Sequence, residues 1–324
     1  MHTIRHAEFR SRADPPHDVV DERALCALRD RGWAPGEVLG TGTEGTVVAL
    51  TPNEVAKVWH GRERHDLEPR LRFGEALGRS AIPFRTSRTL ELLDGEGPAI
   101  TIEERVHGRP LRVDSLVDPP VASANDARLM GDALAGLALG TDENLAVLPI
   151  LAGEPALGGE GSFASALADL AERRFYARPT LLRARIGDIG PLVEALLAHL
   201  RRLPERRRSL IHGDLIPANV LIDGDEVAGV VDFGFMTALG DPGFDAAIAA
   251  SIFDMYGANA RESERVLTSA FLARFGHDHR SYGLYRAAYA VVTNSVFATD
   301  GSDGHFRWCA AMLERDDVRA AIHD

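Results

Sequence analysis

The chain has 324 residues, of which 45% are apolar and 26% charged, a composition typical of a globular protein with a well-buried core. The formal charge of −12 argues against nucleic acid as the main partner, because nucleic-acid phosphates need a positive face, and it is compatible with a cationic small molecule. Apolar runs stay well short of the roughly 18 residues that span a bilayer, and the N-terminus has no secretory apolar region. Neither cysteine lies in a metal or redox motif. We therefore expect a cytoplasmic protein that binds no membrane.

The first third of the chain predicts a small mixed β-sheet lobe that follows an irregular segment over residues 1–20. The predicted elements are, in chain order, a helix over 21–31, three short strands between Val38 and Trp59, a charged helix over about 62–78, and strands near 88–93 and 98–105. We therefore predict an N-terminal extension with one helix over residues 1–33 and an N-terminal lobe over residues 34–105.

After Gly108 the pattern becomes helical and predicts a larger C-terminal lobe over residues 106–324. Helices are predicted near 124–138, 162–176, 189–202, 242–256, 262–275, 281–298 and 305–322. Two short strands are predicted between them, at Asn219–Ile222 and Val227–Val231, and the segment 140–161 has no assignable pattern.

Three glycines, Gly40, Gly42 and Gly45, form a Gly-x-Gly-x-x-Gly pattern that alone is weak evidence, since dinucleotide-binding turns share it. In a dinucleotide fold the glycines lead into a helix, whereas here they lead into a predicted strand. This order favours a hairpin that covers nucleotide phosphates, because missing side chains let backbone N–H groups approach them.

Lys57 is the single lysine among the 36 basic residues, and it lies on the third predicted strand. A composition this biased toward arginine indicates that Lys57 does something that arginine cannot, since an ammonium is a compact point charge and a guanidinium is a wide plane. We predict that it reaches nucleotide phosphates. The next helix offers Glu75 as its counter-ion, with Glu68 as the competitor and an exposed helix face as the structural alternative.

The most specific motif runs from Leu210 to Ile222, a polar cluster flanked by apolar strands, which predicts a loop at the rim of a sheet. Asp214 is placed to accept or orient a hydroxyl proton, and Asn219 offers an amide oxygen to Mg²⁺. His212 is predicted to be structural.

Asp232 follows a predicted buried strand directly and precedes Phe233-Gly234, 18 residues beyond Asp214. A carboxylate in this position is typical of the metal-binding aspartate of kinases. The order and spacing of Lys57, Asp214, Asn219 and Asp232 together predict a phosphotransferase.

With these motifs the chain resembles the aminoglycoside phosphotransferase family, relatives of choline and homoserine kinases within the protein-kinase-like superfamily. The resemblance runs from about Val38 to Asp245. It implies an α+β, protein-kinase-like two-lobed fold with a small mixed β-sheet N-lobe, one main helix there and a mostly helical C-lobe. It also implies ATP between the lobes with adenine against a hinge at Glu104 and Val106, Mg²⁺ on Asn219 and Asp232, and Asp214 as the base.

Three features separate the chain from true protein kinases. Gly213 stands where many protein kinases carry an arginine, the span from Asp232 to Asp245 is too short for an activation loop, and no Ala-Pro-Glu follows it. By resemblance to small-molecule members of the superfamily, Asp245 is expected to support the loop that carries Asp214. The alternative is that Asp245 caps the helix on which it lies. Glu103 is polar at the gatekeeper position of the adenine pocket, where an apolar residue is common. The choice between ATP and GTP as the phosphate donor is therefore left open.

These observations predict ATP-dependent O-phosphorylation of a small molecule, with an aminoglycoside or other cationic antibiotic as the acceptor. Asp254, Glu262 and Glu264 are candidates to bind an amine-bearing acceptor. The alternatives are a metabolic kinase of amino-sugar, choline or homoserine type, an inactive nucleotide-binding module, and a protein kinase. The oligomeric state, monomer or homodimer, is left open.

Overall fold

The computed structural model of the protein describes residues 20–42, 44–93, 97–112, 119–157 and 161–323. The chain forms two units. The first runs to Leu116 and also takes in Asp142–Leu148 and Pro217–Phe233, and the second comprises Val117–Thr141, Pro149–Ile216 and Gly234–Asp324. The predicted irregular segment lies, up to residue 19, outside the described residues, as do residues 94–96 between the strands predicted near 88–93 and 98–105. The domain boundaries after residues 33 and 105 stay predictions.

The secondary structure runs in chain order as follows. The elements up to residue 146 are α1 (Glu22–Asp30), β1 (Val38–Thr41), β2 (Gly45–Thr51), β3 (Glu54–Trp59), α2 (Arg64–Arg79), β4 (Arg85–Thr86), β5 (Thr89–Leu92), β6 (Ile100–Glu104), β7 (Arg109–Pro110), α3 (Ala124–Leu137) and a 3₁₀ helix (Glu143–Ala146). They continue with α4 (Phe163–Ala177), α5 (Pro179–Ile186), α6 (Gly190–Leu200), β8 (Ser209–Ile211), a 3₁₀ helix (Pro217–Asn219), β9 (Val220–Asp223), β10 (Glu226–Val230), β11 (Ala238–Gly240), α7 (Pro242–Ile252), α8 (Ala260–Phe275), α9 (His279–Thr293), α10 (Gly304–Glu314) and α11 (Asp316–His323).

An antiparallel sheet with the strand order β1-β2-β3-β6-β5 forms the centre of the first unit. Helix α1 packs on it through Ala24 and Leu28, which are four residues apart and so lie on one face of the helix. They join Val48, Ala56 and Ile102 of the sheet in a buried cluster. The predicted order of three strands, a helix and two strands is confirmed.

A second sheet of the first unit has the order β4-β10-β9-β7. Its centre is the antiparallel pair β9 and β10, in which Val220 lies opposite Val230. The two strands predicted around Gly224 are thereby confirmed. The short outer strands β4 and β7 were not predicted, because two-residue strands leave no periodic pattern.

The second unit is mostly helical, and its central helices α7 and α9 are buried along nearly their whole length. The predicted helices begin within two residues of the observed ones, but those predicted to end at 256 and 298 end at Ile252 and Thr293. The single helix predicted over 305–322 is also wrong. The chain breaks at Arg315, whose ψ of 135° is extended, before the acidic first turn of α11.

Among the described residues, the helices are all too short or too polar to cross a membrane.

Candidate active site

The glycine pattern forms the hairpin between β1 and β2. Thr41 pairs with Thr46 across the hairpin, and the Gly42 N–H donates to the Gly45 carbonyl oxygen at 2.9 Å. A Cβ on Gly45 would collide with the Val58 carbonyl oxygen of β3. The glycines therefore join two strands, as predicted, and at Gly45 the close approach of a neighbouring strand requires a glycine.

Lys57 projects from β3 into an anionic environment. Its Nζ lies 2.9 Å from Oδ1 of Asp232 and 3.6 Å from Oε2 of Glu44, and its side chain is only 9% exposed. Burial alone would lower the pKa of Lys57, but the charges of Asp232 and Glu44 outweigh it and the pKa is raised. The one lysine of the chain is therefore a fully charged, largely buried cation.

The predicted counter-ion Glu75 is wrong. Its side chain is 71% exposed and lies 3.9 Å from Arg79 of the same helix. The physical reason is the neighbouring Gly74, which faces the sheet so closely that a Cβ would collide with the Thr89 carbonyl oxygen, and this directs Glu75 to another face. The competitor Glu68 is 60% exposed and also pairs within its helix.

Helix α2 instead contributes Arg70, which the sequence analysis missed. Its guanidinium donates to the Phe233 carbonyl oxygen at 2.8 Å and lies 4.2 Å from the centre of the Trp59 ring. One arginine among many on a charged helix gives no sequence signal. Its role follows only from the packing of α2 beside the residue after Asp232.

Asp232 and Asn219 lie at the same end of the β9–β10 hairpin. The Val231 N–H donates to the Asn219 carbonyl oxygen at 3.0 Å, directly beyond the last strand pair. Asp232 has a left-handed backbone with φ of 65°, which is uncommon outside glycine, and its N–H donates to the Ser87 hydroxyl at 3.2 Å. With Lys57 on its carboxylate and Arg70 on the next carbonyl, this unfavourable conformation is fixed by its surroundings.

Asp214 lies in the second unit, on a loop supported from α7. The buried carboxylate of Asp245 accepts the backbone N–H groups of His212 and Gly213, each at 2.8 Å. Burial raises the pKa of Asp245, against the opposing effect of these donors. The helix cap is Asp241, which accepts from the Gly243 N–H, so Asp245 has the supporting role and not the capping one.

Two further contacts fix the loop from His212 to Asp214. The Thr237 hydroxyl donates to the His212 carbonyl oxygen at 2.8 Å and accepts from the Gly234 N–H at 2.8 Å. The fully buried His212 accepts the Asp214 N–H on Nδ1 at 3.3 Å, which agrees with its predicted structural role. Gly213 has φ of 79°, and a Cβ there would collide with the Met236 backbone.

The segment predicted as the adenine hinge begins with the last residue of β6, Glu104. The Glu104 carboxylate binds Arg85 and Arg88, and the Arg105 N–H donates to the Asn53 carbonyl oxygen at 2.8 Å. Glu103 is buried and accepts from the Thr101 hydroxyl at 2.8 Å. Val106, the other predicted hinge residue, packs against Gly229, where a Cβ would collide with its side chain.

A group of aromatic rings in the second unit lies near Asp214. Phe235 stacks on Phe297 with 6.1 Å between ring centres and 11° between planes, and it also contacts Tyr289 at 6.5 Å. Burial, and after it the charge of Asp214, raise the pKa of the Tyr289 hydroxyl. Phe297 is 51% exposed, so part of this aromatic surface faces solvent. We call the rings of Phe235, Tyr256, Phe297 and Trp308, which are grouped with the buried Tyr289, the aromatic surface.

The acidic residues proposed for a cationic acceptor are largely engaged elsewhere. Glu264 is 7% exposed, and Arg315 binds both of its oxygens at 2.7 and 2.8 Å. Glu262 is bound in the same two-point manner by Arg265. Glu264 is thus held inside the second unit and Glu262 is paired on its own helix, and acceptor binding by either of them stays a prediction. Asp254 stays a candidate.

Comparisons with known proteins fit this geometry. The model of the APH phosphotransferase enzyme family matches residues 36–285. A comparison with curated proteins finds no match.

Three of the similar solved structures are antibiotic kinases. A thermostable mutant of aminoglycoside phosphotransferase APH(4)-Ia in a ternary complex with ADP and hygromycin B has a TM-score of 0.67 at 15% identity, over 93% of this chain and 97% of that one. The GDP and kanamycin complex of APH(2")-IIia has a TM-score of 0.61 at 15% identity, over 91% and 97%. Macrolide 2'-phosphotransferase MphH from Brachybacterium faecium has 0.58 at 18%, over 90% and 98%. The predicted α+β, protein-kinase-like fold class is confirmed.

Proposed function

The chain belongs to the phosphotransferase enzyme family, and from this premise we propose that it transfers the γ-phosphoryl group of ATP or GTP to a hydroxyl group of a small molecule. The observation that carries the proposal is the ion pair between Lys57 and Asp232 at the end of the β9–β10 hairpin. A buried cation and an accessible carboxylate, side by side, suit a phosphate and its metal ion.

The residues present fit Mg²⁺ and a nucleotide. Asp232 and Asn219 supply a carboxylate and an amide oxygen at one end of a hairpin, and hard oxygen donors are the ligands that Mg²⁺ takes. Bound there, Mg²⁺ would offset the charge that develops on the phosphates. Lys57 would bind the α- and β-phosphates under the hairpin of Gly40, Gly42 and Gly45.

Two further groups complete the proposed roles. The backbone at Glu104 and Val106 would hold the nucleotide base. Because the similar folds include complexes with ADP and with GDP, both adenine and guanine stay candidates for that base. Asp214 would orient the acceptor hydroxyl and accept its proton, on a loop that Asp245 fixes. Positioning and electrostatics then supply the rate enhancement.

The acceptor we propose first is an antibiotic hydroxyl, because the similar folds include kinases bound to hygromycin B or kanamycin and a macrolide kinase. With Glu262 and Glu264 engaged by arginines, a polycationic acceptor has fewer free carboxylates to bind it. A second candidate is a metabolic acceptor of choline type. The aromatic surface supports it, since quaternary ammonium groups bind the faces of aromatic rings.

The test is release of ADP or GDP with Mg²⁺ over a panel of aminoglycosides, macrolides, peptide antibiotics, amino sugars, choline and homoserine. We expect turnover with one class of acceptor, and its loss in Asp214→Ala and Asp232→Ala. Asp188→Ala, on an exposed turn of the second unit, is the control and should match the wild type. Near-normal turnover in either active-site variant would refute the proposed mechanism.

A further inference from the structure

The carboxylate of Glu44, next to the last glycine of the β1–β2 hairpin, lies among three cations. It is 3.6 Å from Lys57 Nζ, 3.6 Å from an Arg62 nitrogen and 3.8 Å from an Arg70 nitrogen. Charge-assisted hydrogen bonds usually measure about 2.7–2.9 Å. Glu44 therefore makes loose contacts with all three cations and a close bond with none of them.

Two of these cations, Lys57 and Arg70, are held by contacts other than Glu44. Lys57 and Arg70 both lie over the Trp59 ring, 4.1 and 4.2 Å from its centre, and Trp59 is fixed by its bond to Thr101 at 2.9 Å. Arg70 is fixed a second time by the Phe233 carbonyl oxygen at 2.8 Å. The positions of Lys57 and Arg70 are thus built into the first unit and do not depend on Glu44.

Holding Lys57 and Arg70 this close is unfavourable by itself, and the charge of Arg70 opposes the proton on Lys57. Asp232 already compensates Lys57 at 2.9 Å, whereas Arg70, whose side chain is only 15% exposed, has the Glu44 carboxylate at 3.8 Å as its counter-charge. A guanidinium binds carboxylate and phosphate oxygens in the same geometry, and a phosphate carries more charge. An anion site occupied loosely by the protein's own carboxylate is suited to exchange.

We propose that the Glu44 carboxylate occupies the position of a nucleotide phosphate group, and that Arg62 and Arg70 bind that phosphate together with Lys57 when Glu44 leaves. The proposal rests on the proposed function, since it assumes that a nucleoside triphosphate is the ligand. It assigns two arginines to phosphate binding and makes Glu44 a competitor of the nucleotide.

The test is calorimetric titration of the full chain with ATP, ADP and adenosine, and in parallel with GTP and guanosine. Glu44→Gln removes the competing charge and keeps the size, so we expect triphosphate to bind about threefold to tenfold more tightly. Arg62→Gln should weaken triphosphate binding by about tenfold. Neither change should alter nucleoside binding, because a nucleoside has no phosphate.

Arg64→Gln is the matched control, since Arg64 begins α2 and pairs with Glu68. It removes the same charge near the site without touching Glu44, and triphosphate affinity should stay within about twofold. In the Arg62→Gln background, Glu44→Gln should increase the affinity for triphosphate by less than it does in the wild type. The reason is that the contact between Glu44 and Arg62 is already absent there. Arg70→Met would risk the fold, so we choose Arg70→Lys, which keeps the charge. It should weaken the binding of triphosphate more than the binding of nucleoside.

Weaker or unchanged triphosphate binding by Glu44→Gln would overturn the proposal and make Glu44 a support of Lys57. Unchanged binding by Arg62→Gln would also overturn it. A wild-type chain that binds neither ATP nor GTP would instead refute the proposed function, so the two failures are distinguishable.

Discussion

Asp245 accepts a hydrogen bond from the backbone N–H of Gly213 at 2.8 Å, across 32 positions of the chain. Its other oxygen accepts the His212 N–H, and the carboxylate is only 2% exposed. Asp245→Ala should leave two backbone donors buried without an acceptor, each costing about 1–3 kcal/mol. We expect the free energy of unfolding to fall by about 2–4 kcal/mol and turnover to be lost at temperatures where the variant is folded.

Urea unfolding followed by fluorescence measures the first effect, and turnover on the acceptor found in the panel measures the second. Asp188→Ala removes a carboxylate from an exposed position of the same unit and should change stability by less than about 0.5 kcal/mol. A variant at Asp245 as stable and active as that control would contradict the supporting role.

The loop from His212 to Asp214 also requires a glycine at position 213 for two separable reasons. Gly213 has φ of 79°, and a Cβ there would collide with the Met236 backbone, whereas Gly153 has φ of 78° and open space around it. Gly153→Ala should therefore lower the free energy of unfolding only by the strain of a left-handed backbone, about 1–2 kcal/mol. We expect Gly213→Ala to cost more and to lower turnover, because the loop that carries Asp214 must shift. Equal losses of stability by urea unfolding would show that the collision is relieved.

The candidate site residues whose place in the fold was predicted correctly are those whose position follows from the local chain. Lys57 lies on a strand with a clear apolar pattern, and Asp232 directly follows another, so both positions could be read from the pattern. Asn219 and Asp232 meet because a hairpin joins them, and a hairpin is a local structure.

The failures concern contacts between distant parts of the chain. The contact between Gly74 and Thr89 decides which face of α2 lies toward Lys57. Helical periodicity alone predicted Glu75 beside Lys57, whereas the packing of the helix places Arg70 there. The break at Arg315 has the same origin, since this arginine binds Glu264, 51 positions away. Sequence periodicity carries no information on such pairs.

Acid should destabilise the second unit through His305. This side chain is 3% exposed, bonds the Thr293 hydroxyl at 2.9 Å, and burial lowers its pKa to about 4. The unfolded chain takes up a proton near pH 6.5, so the stability from the neutral folded histidine is present above about pH 6.5 and is lost as the pH falls toward 4. The loss should amount to about 3 kcal/mol.

His305→Gln keeps an amide group that can bond Thr293 and removes the titration. Urea unfolding at pH 7.5 and at pH 4.5 should show a smaller loss of stability in the variant than in the wild type, even if the variant is less stable at both. Identical losses in the two proteins would show that groups whose pKa is lowered on folding, such as the Asp317 carboxyl, account for the acid sensitivity.

The aromatic surface predicts how the acceptor is bound. Phe297 stacks on Phe235 and is 51% exposed, so its free face can pack on a sugar ring or an ammonium group. Phe297→Ala should raise the KM for the acceptor about fivefold to tenfold, with the KM for nucleotide and kcat little changed, since binding is lost and chemistry is kept. Tyr176→Ala is the matched control, because Tyr176 is also 51% exposed but packs on Phe175 of α4. An acceptor KM that moves equally in both variants would mean that the aromatic surface does not bind the acceptor, and Asp254 would then be the residue to substitute next.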